Sequence, residues 1–229
     1  MSIFQTTTVS CPACTTKVTV EVAASVNADR RPDLRQEIID GTFQAITCPS
    51  CATSFRLQPS FTYIDVGRRQ WILAHPIDDL PHWQTLEAEA RTVFDTAYGP
   101  IAPRPARELG KTLAPRIAFG WPAVREKLVC QQAGLDDIEI ELLKLAVIRD
   151  VRNAPLADES ELRLDQVEDE NLTFAWLDSS NEALLKALRI PGDAYTELAD
   201  DPQPWAALRA QLAGQLFVDV NRLLVSAGA

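Results

Sequence analysis

The sequence predicts an α+β protein in which extended structure comes first and helices follow. Three observations carry that expectation: a period-two alternation at 16–22, apolar steps of three and four residues after position 79, and two matching cysteine turns near the N-terminus.

At 16–22, Val18, Val20 and Val22 share one face while Lys17, Thr19 and Glu21 share the other, the pattern of a half-buried strand. Residues 32–40 predict a short helix, with Pro32 in the first turn, where its missing N–H is harmless, and Gly41 as the stop. β character returns at 43–47, 54–57, 61–66 and 71–74, with 67–70 as a turn. Leu80, Trp83, Leu86, Ala90, Val93, Phe94 and Ala97 then recur at helical steps. Three prolines within 100–105 predict a linker. Helices are expected at 122–132 and 137–151, the second apolar on most sides and therefore buried. Residues 161–167 and 172–177 predict a hairpin turning at 169–171, and final helices are expected near 181–188 and 204–226. The chain thus divides into a β-rich segment, 1–78, and a mainly helical region, 79–229, that carries one small hairpin.

Size and composition fit a globular protein: 229 residues, 46% hydrophobic and 24% charged. The first residues, Met-Ser-Ile-Phe-Gln-Thr-Thr-Thr, lack the basic and apolar regions of a signal peptide, and no apolar run approaches the ~20 residues of a membrane span. A soluble cytoplasmic protein is expected. In that reducing setting cysteines serve more often as metal ligands or redox groups than as disulfides.

The net charge of −10 is uneven, with −1 over 1–85 and −9 over the remainder, and 18 acids against 6 bases within 136–201. Such a surface is solubilising and repels a phosphate backbone. Arg104, Arg107, Lys111, Arg116, Arg125 and Lys127 make 100–129 locally basic. This stretch has two readings, contact with phosphates or docking against the acidic 136–201 of the same or a neighbouring chain, and the second is favoured because it needs no outside ligand.

One short repeat stands out: Ser10-Cys-Pro-Ala-Cys-Thr15 matches Thr47-Cys-Pro-Ser-Cys-Ala52. Each Cys-Pro-x-Cys turn brings two sulfurs to one side of a tight bend, and proline lowers the entropy lost in making it. Together Cys11, Cys14, Cys48 and Cys51 supply four thiolates, the tetrahedral set that Zn²⁺ prefers at Zn–S distances of ~2.3 Å. The chain between Cys14 and Cys48, with its helix, becomes an insertion between the halves of a zinc ribbon. Four protein ligands leave no open coordination position, so the metal is expected to be structural, with apparent binding energies of roughly 10–16 kcal/mol acting as folding energy. Iron takes the same ligands in rubredoxin-like centres and is the less favoured metal. Redox chemistry at either pair is disfavoured, because the activated cysteine of a thioredoxin-type motif opens a helix, whereas Cys14 and Cys51 lead into strands. Cys130, late in the 122–132 helix, is expected to be a buried free thiol.

At these residues the chain resembles the CpXC family, named for its two Cys-Pro-x-Cys motifs. The resemblance rests on 11–14, the strand after it, the helix ending at Gly41, and 43–51, with 61–65 similar to the segment that follows the second motif. It covers the first third to half of the chain and implies metal binding, but carries no activity with it. Thr15 and Ala52 stand where zinc knuckles often have glycine, and a β-branched residue is costly at positive φ, so the first turn is expected to depart from the usual knuckle.

Other candidates fall away. Residues 105–112 end in Gly-Lys-Thr but have proline where a phosphate-binding loop needs its first glycine. His75 and His82 lie in no metalloprotease-type pattern. The leading expectation is therefore a non-enzymatic interaction or scaffold protein with a zinc-held ribbon, which self-associates or binds a stable protein partner through complementary charge. Trp71, Trp83, Trp121, Trp176 and Trp205 are candidate interface anchors or core residues. A nucleic-acid-associated zinc ribbon using 104–127 is the alternative, and an enzyme whose site forms only in three dimensions is a further one.

Overall fold

A computed structural model describes residues 1–150 and 160–224, with the backbone alone for Leu223 and Leu224. The α+β class holds. Among the described residues, no helix is long and apolar enough to cross a membrane. The chain separates into two compact units, Met1–Leu80 with Ala88–Trp121, and Pro81–Glu87 with the chain from Pro122 onward.

The first unit is built on a five-stranded sheet. Strands β1 (Ile3–Ser10) and β2 (Lys17–Asn27) form an antiparallel hairpin, followed by α1 (Pro32–Ile39) and the short pair β3 (Ala45–Thr47) and β4 (Ser54–Arg56). Strands β5 (Phe61–Asp65), β6 (Gln70–His75) and β7 (Ala114–Phe119) complete the sheet in the order β1-β2-β5-β6-β7. The β2–β5 and β6–β7 pairings are parallel, and β5–β6 is antiparallel. β2 meets β5 through only three residue pairs, Ser25–Thr62, Val26–Tyr63 and Asn27–Ile64. Beyond this junction Gln44 takes over. Its side chain accepts from Ala23 N and donates to Glu21 O, holding the free side of β2.

Burial follows the pleat, with Phe61, Tyr63 and Asp65 inward along β5. Ile38, Phe43, Ile72 and Ile117 join the core, and the rings of Phe43, Phe61 and Trp121 pack at centroid distances of 5.4–6.0 Å. Trp121 donates its indole N–H to Leu57 O, so its polar edge is satisfied. A 3-10 turn at Ile77–His82 leads into α2 (Trp83–Tyr98), whose Phe94 packs edge-on against Trp71.

Besides β1, which no expected strand covers, two elements of this unit differ from the sequence expectation. The linker expected at 100–105 gives way to α3 (Arg104–Gly110), which has proline in its first turn, a position that tolerates it. Strand β7 lies beyond the expected boundary at 78/79 and pairs with β6, so the compact units do not follow the 1–78 and 79–229 partition. Pro115 masks β7 in sequence, and the strand tolerates it because it is at the sheet edge.

The second unit contains most of α4 (Gly120–Gln132), then α5 (Asp137–Asp150), β8 (Ser160–Glu168), β9 (Asn171–Asp178), β10 (Leu184–Pro191), α6 (Asp193–Asp200), a 3-10 turn at Gln203–Trp205, α7 (Ala206–Ala213) and α8 (Asn221–Leu224). The hairpin at 161–167 and 172–177 is present, and β10 joins it to give the order β10-β9-β8. The helix expected at 181–188 is thus a strand. Its Leu, Lys, Ala and Arg residues favour helix intrinsically, but the open edge of β9 and the inward Leu188 and Ile190 override that preference. Gly192 sits where a Cβ would meet Glu170 O at 2.6 Å, and its N–H donates to that carbonyl at 2.7 Å. The single helix expected at 204–226 is broken into the turn, α7, an irregular stretch and α8. Its last two residues, like the final residue of the 137–151 helix, lie outside the described residues.

The core of this unit gathers Ile140, Leu143, Leu162, Leu164, Phe174 and Trp176, with Cys130 among them as expected. Beside it lies a buried ionic network. Lys144 contacts Glu126 at 2.9 Å and Glu141 at 2.8 Å. Arg163 reaches Glu126, Glu161 and Asp219, and Lys127 reaches Asp137 and Glu141. The network also grips the irregular stretch: Lys127 donates to Val218 O, and Glu141 accepts from Val220 N. Glu87 accepts from Leu216 N and Phe217 N. Backbone groups that would pair in a ladder are satisfied here by charged side chains.

Five carboxylates, of Glu126, Asp137, Glu141, Glu161 and Asp219, face the three cations. Burial, reinforced by the nearby Glu126 and Asp219, outweighs Lys144 and Lys127 and pushes Glu141 up to about 7. A carboxyl raised from 4.5 contributes stability that is fully present below 4.5 and is lost as the pH rises through about 7. Hydrogen exchange of the β8 and β9 amides should therefore speed up across that window, and Glu141→Gln should flatten the dependence. Lys144→Ala, which strands buried carboxylates, should cost this unit about 3–5 kcal/mol. Lys111→Ala, at an exposed pair with Glu108, should cost under about 1 kcal/mol.

Candidate metal centre

The two cysteine turns end two of the hairpins of the first unit, Cys11–Cys14 between β1 and β2 and Cys48–Cys51 between β3 and β4. Their backbones match bond for bond. Cys11 N donates to Thr16 O and Thr15 N to Cys11 O, while Cys48 N donates to Thr53 O and Ala52 N to Cys48 O, all at 2.9 Å. Thr15 and Ala52 both adopt left-handed backbone, with φ of 59° and 57°. The first turn therefore matches the second despite the β-branched Thr15. The Thr15 hydroxyl donates to Cys14 O at 2.7 Å, a local bond that offsets the strain of a β-branched residue there.

The four sulfurs converge. Cys11 Sγ lies 3.7 Å from Cys51 Sγ, Cys14 Sγ lies 3.7 Å from Cys48 Sγ, and all four fall within 4.8 Å of one another. A tetrahedron with metal–sulfur bonds of ~2.3 Å has edges of about 3.8 Å, so both cross-turn contacts are at the spacing a four-coordinate ion requires. Both cross-turn contacts join one turn to the other, which is what shared coordination requires and what separate redox pairs do not. The first cysteine of each turn, Cys11 and Cys48, is buried; Cys14 is half-buried and Cys51 exposed.

Two residues outside the four-cysteine set shape its electrostatics. Thr16 Oγ1 lies 3.3 Å from Cys14 Sγ, and Thr53 Oγ1 lies 3.3 Å from Cys51 Sγ. The hydroxyl and backbone amide of Thr16 draw the Cys14 thiol down to about 6, and those of Thr53 lower Cys51. Cys11 is raised to about 11: the Cys14 amide acts to lower it, but burial and the sulfurs of Cys14 and Cys51 prevail. A hydroxyl facing a thiolate donates to it, so both threonines favour the form that ligates metal. The signal was visible in the repeat, which extends one residue further than 10–15 and 47–52 to include a matching threonine.

Other candidate residues are dispersed. Ser60 Oγ and Asp79 Oδ2 approach His75 at 3.1 and 3.7 Å, but both do so at Nδ1. A nucleophile–base–acid relay needs the two partners on different ring nitrogens, so these three residues do not form one. His82 is exposed. Lys111 ends α3 rather than opening a helix, which removes the phosphate-loop reading of 105–112. Within the basic stretch, Arg125 pairs with Asp165, and Lys127 is buried against Asp137 and Glu141. Trp71, Trp121 and Trp176 are buried; Trp83 packs on Phe217; and Trp205 borders an apolar groove of about 530 Å³ with Leu143, Leu188 and Leu198.

The left-handed geometry at Thr15 makes a specific substitution informative. Thr15→Gly should relieve backbone strain of about 1 kcal/mol and be read as a higher melting temperature of the first unit. A fall in melting temperature would mean that the hydroxyl bond to Cys14 O outweighs the strain.

No curated protein and no solved structure matches the chain. The sequence pattern that defines the family described as CpXC protein matches residues 9–144, well over half of the chain. The match takes in both cysteine turns and runs on through α4 into α5, further than the motifs alone reach. With its four cysteines gathered where a metal ion could be held, the chain belongs to the CpXC family.

Proposed function

We propose that this chain is a non-enzymatic, structural-zinc protein of the cytoplasm that serves as a protein-interaction or scaffold module. The observation that carries the reading is the sulfur set itself. Four thiolates with cross-turn spacings of 3.7 Å would complete the shell of one ion and leave no position for a substrate or water. Cys11, Cys14, Cys48 and Cys51 would be the ligands, with the Thr16 and Thr53 hydroxyls supporting the two outer sulfurs. Such a site needs reduced thiols, which favours a reducing compartment. Zinc is favoured over iron because the role is structural and asks for no redox change.

Association with protein rather than nucleic acid is favoured by the fate of the basic stretch. The charges of Arg125 and Lys127 are matched by acids from 136–201, and Lys111 is matched locally by Glu108. The phosphate-binding surface on which the nucleic-acid alternative depends is reduced accordingly.

Elemental analysis of the purified protein should find about one equivalent of zinc. Cys48→Ser should release it, whereas Cys130→Ser should keep it and cost about 1–3 kcal/mol through an unsatisfied buried hydroxyl. Because ligation displaces protons, zinc affinity should fall as the pH is lowered, measured by competition with a chromogenic chelator. Equal metal content in the two serine variants would overturn the site. Tight retention of mixed-sequence DNA at moderate salt, without any protein association, would move the reading to the nucleic-acid alternative.

A further inference from the structure

We propose that β1 is a self-association edge, at which two copies of this chain pair antiparallel about a twofold axis centred on Thr6. The inference rests on the protein-association reading above and names its surface and its partner.

Sheet edges present unpaired N–H and C=O groups, and proteins normally protect them with charge, proline, bulges or a short strand. The two edges of this sheet are β1 and β7. β7 carries two such devices, Pro115 and Arg116. β1 carries neither. It is eight residues long, Ile-Phe-Gln-Thr-Thr-Thr-Val-Ser, and residues 1–16 contain no charged side chain. Its ladder with β2 is regular from Phe4 to Ser10, with one irregularity at Ile3. Apart from the half-buried Phe4 and Val9, its side chains are exposed, including Ile3 at 53%.

The sequence of the strand selects a second copy as the occupant. A twofold axis normal to the sheet keeps each residue on its own face, so residues that meet must have numbers of the same parity. Centring the axis on Thr6 sets the exposed Ile3 against the partner's Val9, Phe4 against the partner's Thr8, and Thr6 against its own counterpart. Centring it on Thr7 would instead set Phe4 against the partner's Ser10 and leave Ile3 at the cysteine turn. The Thr6 register thus joins apolar to apolar and threonine to threonine, both favourable cross-strand pairs. The net charge of −10 places no acid on this strand, so like copies meet there without local repulsion.

An eight-residue edge lies at the small end of protein interfaces, so dissociation on the order of 10 μM or weaker is expected. An uncharged edge also predicts a salt response distinct from that of the basic and acidic stretches. Association through β1 should persist or strengthen as salt screens the net charge, whereas association through 104–127 and 136–201 should weaken.

Sedimentation of the full, zinc-loaded chain up to about 200 μM, at low and high salt, tests this. The expected result is a concentration-dependent dimer that survives high salt. Thr6→Lys should weaken it at least tenfold by opposing two like charges at the axis, with zinc content and melting temperature unchanged. Mixing Thr6→Lys with Thr6→Glu should restore association. A dimer that persists in Thr6→Lys would overturn the β1 edge while leaving protein association standing. A monomer at every concentration would overturn the edge as well, and the association reading would then rest on a heterologous partner.

Discussion

The first unit depends on a junction of three residue pairs. β2 joins β5 only at 25–27, so most of the β1–β2 hairpin extends past the sheet that anchors it. A two-stranded hairpin is marginal in water. Something must tie its far end back to the body of the unit. The Gln44 side chain bonds the outer side of β2, and the sulfur cluster joins the hairpin's tip to the β3–β4 turn. A metal at the four cysteines would therefore act as the second anchor of a hairpin whose first anchor is short. The 33 residues between Cys14 and Cys48 then span the distance between two fixed ends, which is why a helix can be accommodated there.

The second unit reaches order by a different route. Its apolar core is supplemented by buried charges, and those charges hold the chain from Leu216 to Val220. An irregular segment without a ladder needs a partner for each buried amide and carbonyl, and Glu87, Lys127 and Glu141 provide several of them. Replacing such a network wholesale by apolar residues can be neutral, whereas removing one member leaves an unmatched charge. The arrangement thus specifies one placement of the segment more than it adds stability.

How much was legible in sequence depended on whether the signal was local. The cysteine set could be read because two turns repeat the same Cys-Pro-x-Cys pattern, and the helix at 32–40 because proline and glycine mark its ends. Strand β2 could be read from alternating valines, although it continues to Asn27, past the point where the alternation ends. Strands β7 and β10 were hidden for opposite reasons: proline obscured one, and helix-forming residues disguised the other. Neither is a strand on its own account, since each forms against an edge supplied from elsewhere in the chain. β1 has the threonine-rich composition of a strand but no alternation, because both its faces remain largely in solvent. The ionic network lay beyond sequence reasoning, since Glu126, Glu141, Lys144 and Arg163 look like ordinary surface residues until α4, α5 and β8 are brought together.

The short β2–β5 junction also bears on the order in which the chain assembles. Parallel pairing of 25–27 with 62–64 must close a long loop before any contact rewards it, and such closures are slow. A metal captured early by the two cysteine turns would shorten that search, since the path from Asn27 back to Cys14 and on from Cys51 to Thr62 is 24 residues against 35 directly. The ion would then speed folding as well as deepen the folded state, and its arrival would divide a fast refolding population from a slow one.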